Sequence, residues 1–258
     1  MEQNVYFLTF GASNSDYTQA AERIKQQAAE FNIFTDIISY TDIELKNDEE
    51  FWSKNGEFIE NNKRGYGYWL WKPYIIMKTL ERLSENDILF YCDSGCELNV
   101  EGKTRFLSFL EEVNEKLIMG TGTCSSDYTY TKKDLIEYIG ITDVNVLKIR
   151  HMQAGCLLMK KTDIIINLIS EWYSIGSNNY HFIDDSPSIS ENFPGFREHR
   201  HDQSIYNLLV KKYDLLNYSL DPTNWGNTLT SKDNYLNNAM SFPIWYCRNR
   251  TGKSLKDP

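Results

Sequence analysis

The spacing of apolar residues along this chain alternates between two patterns. Val5–Phe10 is an unbroken β-branched and aromatic run closed by Gly11, which predicts a buried strand. From 16 to 30 the apolar positions shift to Ala20, Ala21, Ile24 and Ala28, with Phe31 just beyond, and that spacing predicts a helix. Strand and helix patterns then repeat. Residues 36–40 read as a strand, and 49–61 as a helix with Phe51, Trp52, Phe58 and Ile59 on one side. Pro73 suits the first turn of a helix running through Leu83, where its missing N–H costs nothing. Residues 88–92 form the next buried strand, 101–116 a helix, and 117–119 a strand opening into Gly120-Thr121-Gly122. Thr131 is placed to cap a short helix ending at Gly140, and Thr162 to cap one running through Tyr173 after a strand at 155–160. This alternation predicts an α/β fold with a mostly parallel central sheet flanked by helices.

The texture changes after that. Residues 176–201 are polar and rich in Ser, Asn, Pro and Asp, which predicts a long loop, and such loops in compact domains are usually functional or mobile. A helix is expected over 202–212, followed from Asp221 by a loop-rich tail containing Trp225, Trp245 and Tyr246. With no repeat, low-complexity tract or clear linker among the 258 residues, one domain is the simplest account.

Composition narrows the partners. A net charge of −9 argues against general nucleic-acid binding, which needs a basic face, but leaves room for a local basic pocket. Aromatic residues make up 14% of the chain, which suits either surfaces that stack on sugar rings or an aromatic-rich core. Cys92 and Cys96 bracket a turn, but no second closely spaced pair completes a zinc site. Together with Cys124, Cys156 and Cys247 they read as reduced residues of a cytoplasmic protein. No signal peptide or membrane span is expected, though peripheral membrane association stays open.

Two segments carry the candidate chemistry. The first, Arg64-Gly65-Tyr66-Gly67-Tyr68-Trp69-Leu70-Trp71-Lys72-Pro73, sets cations among aromatics just ahead of a helix. Arg offers a planar fork for phosphate and Lys a point charge. If the piece is extended, Trp69 and Trp71 alternate, so that at most one faces the core. The second, Asp93-Ser94-Gly95, ends the central strand, and ligands of open α/β sheets bind beyond the carboxyl ends of strands. Small residues in Gln153-Ala154-Gly155 allow close backbone approach to a ligand. Asp202 and Gln203 open a helix, whose start is electropositive and orients polar groups toward a ligand, with a plain N-cap the lesser alternative for Asp202.

In this order, Asp93-Ser94-Gly95, Gln153-Ala154-Gly155 and His201-Asp202-Gln203 with Asn207 resemble the GT-A-fold glycosyltransferases. The likeness is greatest to the retaining glycogenin-like and galactosyltransferase-like families, and the opening Phe7-Leu8-Thr9-Phe10-Gly11 with the Gly67-Tyr68-Trp69-Leu70-Trp71-Lys72-Pro73 segment also resembles uncharacterised glycosyltransferases of polysaccharide clusters and large viruses. It covers roughly residues 4–212 and implies a GT-A-like domain with a donor side (about 1–125) and an acceptor side (about 126–258). It implies transfer of a sugar from a nucleotide sugar, a UDP-sugar first, to a glycan or lipid-linked saccharide acceptor, with retention and with Mn2+ or Mg2+. The roles it implies are catalytic for Asp93, Asp202 and Gln203, and metal-binding for Asp93 and Glu97. Donor contacts would fall to Phe10, Gly11, Asp16, Tyr17, Arg64, Tyr68, Trp69, Lys72, Ser94, Gly95, Gln153, Ala154, Gly155 and His201.

The chain departs from the family pattern at Gly95, where the second Asp of Asp-x-Asp would stand. Glu97 is the nearest replacement, and His199 and His201 are candidates for a late metal-binding His. Inverting chemistry would need a base, with Asp184 and Asp185 the first suspects. Arg248, Arg250 and Lys253 form a basic tail able to fold over a diphosphate. Two other functions stay open. A sugar nucleotidyltransferase would share the sheet but would want a basic Gly-rich loop where 11–15 has one Gly and no cation. A non-catalytic glycan- or nucleotide-binding relative would account for Gly95.

Overall fold

The computed structural model describes residues 3–13, 15–218 and 241–256. Trp225 and most of the tail expected from Asp221 lie outside the described residues. The chain begins with β1 (Val5–Phe10), α1 (Asp16–Phe31), β2 (Asp36–Tyr40), α2 (Asp42–Asn47) and α3 (Glu49–Asn61). It continues through a short turn, α4 (Gly65–Tyr68), then α5 (Trp71–Arg82), β3 (Ile88–Cys92), β4 (Glu97–Leu98) and α6 (Lys103–Lys116). Next come β5 (Ile118–Ser126), α7 (Asp127–Tyr130), α8 (Lys133–Ile139), α9 (Val144–Lys148), β6 (Arg150–Lys160), α10 (Asp163–Asn178), α11 (His201–Lys212) and β7 (Ile244–Trp245).

Five strands form the central sheet in the order β2-β1-β3-β6-β5. β1 pairs with β2 and β3 in parallel, while β6 runs antiparallel to both β3 and β5. Four of the five strands therefore point the same way, and the mostly parallel sheet expected from the sequence is observed. The reversal of β6 brings its beginning, not its end, to the edge where β1 and β3 finish.

Strand side chains alternate between faces, and so does the core. Leu8, Phe10, Leu89, Tyr91, Leu157 and Met159 pack with Ile75 and Ile76 of α5, Trp172 of α10 and Ile205 and Leu209 of α11. Val5, Phe7, Ile88, Phe90, Cys92 and Leu158 pack on the other face with Ile24 and Phe31 of α1 and Phe106 and Phe109 of α6. Among the described residues, no helix is long and apolar enough to cross a membrane.

Local chemistry explains most element ends. Ser15 and Thr18 form a capping box at the start of α1, and Asn32 closes it in the left-handed conformation at φ 47°. Thr131 does not cap α8: its hydroxyl donates to Asp127 Oδ1 at 2.8 Å, and Lys132 takes the N-cap position. Thr162 does stand at the N-cap of α10, but without a side-chain bond, and that helix runs on to Asn178. The polar stretch after α10 is pinned. Lys132, nearly fully buried, donates to the His181 carbonyl and to Asp184, and Asp134 accepts from His181 and from the amides of Ile189 and Ser190. Short β4 pairs with β7, so Trp245 is buried in the molecule.

The segment before α5 is not extended. Gly65, Tyr66, Gly67, Tyr68 and Trp69 all have positive φ, between 54° and 80°, and the Tyr68 and Trp69 amides donate to the Arg64 and Gly65 carbonyls. This is one turn of left-handed helix, costing roughly 1–2 kcal/mol for each non-glycine residue. It sends Trp71 to stack on Phe10 with ring centroids 3.8 Å apart, and holds Tyr68 and Trp69 against the His201 ring.

Candidate active site at the strand ends

Asp93 follows β3 with the same parity as Leu89 and Tyr91, so it belongs to the α5 and α11 face. α5 leads down into β3, which places its first turn, and Lys72, at the carboxyl edge of the sheet. α11 packs beside α10 and β6 with its own start at that edge. There the buried Lys72 ammonium lies 3.0 Å from Asp202 Oδ2 and 3.5 Å from Asp93 Oδ1. Tyr91 donates its hydroxyl to Asp93 Oδ1 at 2.5 Å.

Burial sets the electrostatics. Loss of water pushes the Asp202 carboxyl up to about 6 in spite of the Lys72 ammonium beside it. Burial pulls Lys72 the other way, but Asp202 and Asp93 outweigh it and leave its pKa above the ordinary lysine value. The Lys72 approach to Asp202 Oδ2 is an ion pair without hydrogen-bond alignment, so that oxygen keeps unspent acceptor capacity. Asp202 lies in the first turn of α11, with Arg200 at the N-cap. Its carboxylate is directed to Lys72, so it is not the plain cap that the sequence also allowed.

Backbone from β6 closes the site from below. The Asp93 amide donates to the Gly155 carbonyl at 2.7 Å, and a Cβ on Gly155 would come within 2.8 Å of Asp93 Oδ2. The Ala154 amide lies 3.4 Å from Gln203 Oε1, while Gln203 Nε2 is 3.3 Å from His151 Nδ1. His151 Nε2 is 2.9 Å from Asp127 Oδ1, both residues fully buried, and Lys211 also reaches Asp127. The chain Asp127–His151–Gln203 fixes the amide of a residue at the site. Burial pushes Asp127 up, but His151 and Lys211 hold it below the usual carboxylate range.

Other expected residues gather in two neighbouring groups. Arg64 Nη1 donates to both carboxylate oxygens of Asp185, at 2.8 and 3.0 Å, and His201 Nε2 lies 3.6 Å from the same carboxylate. His201 Nδ1 bonds the Ile183 carbonyl at 2.8 Å, and burial lowers its pKa. Around the 93–95 turn, Tyr17 carries Arg250 over its ring at 5.3 Å, and a Cβ on Gly95 would lie 3.7 Å from Tyr17 and 3.9 Å from the Arg248 backbone. The Gly95 carbonyl accepts from the Asn249 amide at 2.9 Å, and the Ser94 carbonyl from Arg23 at 2.9 Å. The basic tail is therefore docked beside the Asp93 turn.

Several expected residues stand apart. Glu97, expected as a metal ligand, is buried and its carboxylate is committed. It accepts from Gln27, Asn249 and Ser254 and from the Leu255 amide, which makes it the anchor of the tail. Phe10 is a core residue under Trp71. Gly11 serves close packing, since a Cβ there would meet Ala21 and the Tyr17 carbonyl at 2.6 Å. Asp16 lies in the first turn of α1, and Gln153 is half-buried between Met152 and Ala154. His199 is buried, bonded to the Phe182 carbonyl, and burial pushes its pKa down to about 3. Sequence reasoning missed Tyr91, His151, Asp127 and Arg23. For Tyr91 the signal was present, because it shares strand parity with Asp93.

No family model matches the chain, and no curated protein matches it. Solved structures of similar chain path include mouse xyloside xylosyltransferase 1 (10% identity, TM-score 0.44, covering 95% of this chain and 97% of that one). The galactosyltransferase LgtC with donor and acceptor sugar analogues is a second (11% identity, TM-score 0.42, 83% of this chain and 73% of that one). A third is a glycosyltransferase involved in glycosylation of the major capsid of PBCV-1 (10% identity, TM-score 0.39), where the match covers 67% of this chain and 66% of that one.

Proposed function

We propose that this chain is a glycosyltransferase that moves a sugar from a nucleotide-diphosphate donor to a hydroxyl of a glycan or lipid-linked acceptor. The observation that carries this reading is the buried Lys72 ammonium bridging Asp93 at a strand end and Asp202 at a helix start. The order of Asp93, Gln153-Ala154-Gly155 and Asp202-Gln203 along the chain, which resembles the GT-A pattern, supports it as well.

In this reading Asp202 and Lys72 bind hydroxyls of the donor sugar, one accepting and one donating. Gln203, its amide fixed by His151, lies beneath the reacting carbon. The acceptor oxygen forms a bond to that carbon as the carbon–phosphate oxygen bond breaks. With retention, the acceptor proton goes to the departing phosphate oxygen, so no strong base is needed. Arg248, whose backbone lies beside Gly95, and Arg250, over the Tyr17 ring, offset charge on the diphosphate.

Mn2+ or Mg2+ fits one residue of the pair expected for it. Asp93 Oδ2 has no hydrogen-bond or ion-pair partner among the described residues, whereas Glu97 is spent on the tail. Hard cations of this kind are often held by one or two carboxylates, with substrate phosphates and water completing the shell. When bound at Asp93, such an ion supplies charge neutralisation to the leaving diphosphate.

The test is thermal shift against nucleotides and nucleotide sugars, with and without Mn2+, followed by donor hydrolysis. A ligand at ~100 times its dissociation constant stabilises by about 2.7 kcal/mol. Stabilisation by one nucleoside diphosphate family, with hydrolysis lost in Asp93→Ala, supports the reading. Folded protein that answers to no nucleotide refutes it.

A further inference from the structure

Three cysteines that are scattered in sequence meet in the fold. Cys92 ends β3, Cys96 follows the 93–95 turn, and the antiparallel register of β6 sets Cys156 directly opposite Cys92. The Cys92 and Cys156 sulfurs are 3.0 Å apart and those of Cys156 and Cys96 3.6 Å, and all three lie within 4.8 Å of one another. Their relative exposures are 0%, 7% and 0%. Phe90, Leu98, Met119 and Leu158 of the same cluster give the sulfurs an apolar surrounding.

The 3.0 Å separation is inside the ~3.5–4.0 Å typical of non-bonded heavy-atom contact. A tetrahedral Zn–S distance of ~2.3 Å implies sulfurs ~3.8 Å apart, within the span of these three. Lys72 lies close enough to act on Cys156, and Arg23 holds the Cys96 backbone by donating to its carbonyl at 2.8 Å. A fourth thiol, Cys247 of the docked tail, packs near Cys96 with its sulfur 3.5 Å from the Gly95 carbonyl.

The geometry points to a soft-metal site: Cys92, Cys96 and Cys156 bind one thiophilic cation of the Zn2+ class as thiolates. Three metal–sulfur bonds form, three thiol protons leave to solvent, and no electron is transferred. Thiolate ligands select against Mg2+ and Mn2+, so this ion is separate from any hard cation at Asp93. Because Cys92 and Cys96 flank Asp93, the ion clamps the Asp93 turn onto β6. The inference does not depend on the transferase reading.

The experiment uses the full chain expressed with added zinc and purified under reducing conditions. Metal content by mass spectrometry is expected to show one zinc per chain. Removal by chelator should lower Tm, and returning Zn2+ should restore it. Cobalt substitution should give a near-ultraviolet sulfur-to-metal charge-transfer band. Cys156→Ser is expected to lose zinc and band, while Cys124→Ser, an exposed cysteine, keeps both. Reduced, folded wild-type protein with neither stoichiometric zinc nor a cobalt band overturns the inference. So does a denatured thiol titration that finds three thiols in place of the five in the sequence, with a mass two hydrogens lower, which would mean a Cys92–Cys156 disulfide.

Discussion

Replacing Lys72 with methionine probes the centre of the site. Methionine keeps most of the stem volume and removes the ammonium that sits 3.0 Å from Asp202 and 3.5 Å from Asp93. The Lys72 and Asp202 side chains are only 4% and 6% exposed, so water cannot replace the lost partner. Breaking a buried ion pair from one side costs about 3–5 kcal/mol. Asp202 has an escape, because burial already raises its carboxyl to about 6 and it can take a proton when the ammonium is gone. A folded-state pKa above the unfolded value of 3.8 means that the native state holds the extra proton, and stability falls as pH rises through that window. Without Lys72 the window extends upward. The variant's deficit therefore grows by about 1.4 kcal/mol for each pH unit between 6 and its new pKa. A deficit of about 3 kcal/mol at pH 8 lowers Tm by roughly 6–12 °C, using 2–4 °C per kcal/mol. Urea or thermal unfolding at pH 5.5 and pH 8 reads both ends. Adding Asp202→Asn should recover most of the loss at pH 8, since no unpaired carboxylate is left at that position. Equal loss at both pH values, or a double variant that is simply additive, would refute this account of the pair.

Other substitutions follow from the same geometry. Gly155→Ala places a methyl 2.8 Å from Asp93 Oδ2; it should displace that carboxylate and abolish thermal shift by nucleoside diphosphate with Mn2+ while circular dichroism stays unchanged. Gly67→Ala must adopt φ 80° and meets Ile59 at 2.6 Å, so it should lower stability by more than about 1–2 kcal/mol in urea unfolding. Donor turnover should rise with pH through about 6 as Asp202 ionises and then level off, and this rise should vanish from the pH profile of any residual activity in Asp202→Asn. Gly95→Asp adds a second carboxylate where a Cβ makes only ordinary contacts; it should tighten Mn2+ binding, measured by titration calorimetry.

Much of the fold was legible because β1, β3, α1 and α5 are long, strongly patterned segments whose apolar period matches their environment. The positions of Asp93 just past a strand end and Asp202 in the first turn of a helix were legible for a related reason, since both follow from local patterning. What was hidden depends on distant partners. Glu97 looked like a ligand because sequence shows its distance from Asp93 but not the tail residues 249–255 that consume its oxygens. Trp69 and Trp71 were read as alternating, yet five successive positive φ values break the strand geometry on which that argument rests. The reversal of β6 left no local mark, and with it the meeting of Cys156 with Cys92 was invisible.

The docked tail also has a bearing on synthesis. Glu97 is buried with partners that come from the far end of the chain, and Arg23 spends bonds on the Asn249 and Thr251 carbonyls. While a ribosome is still making those residues, water stands in for them at the Glu97 carboxylate, Arg23 keeps only its bonds to the Ser94 and Cys96 carbonyls, and the Asp93 turn lacks the Asn249 contact that ties it to the tail. The turn that carries Asp93 is thus the last part of the sheet edge to become rigid during translation. Chains released early, short of residue 249, would lack these bonds and hold the Asp93 turn less firmly.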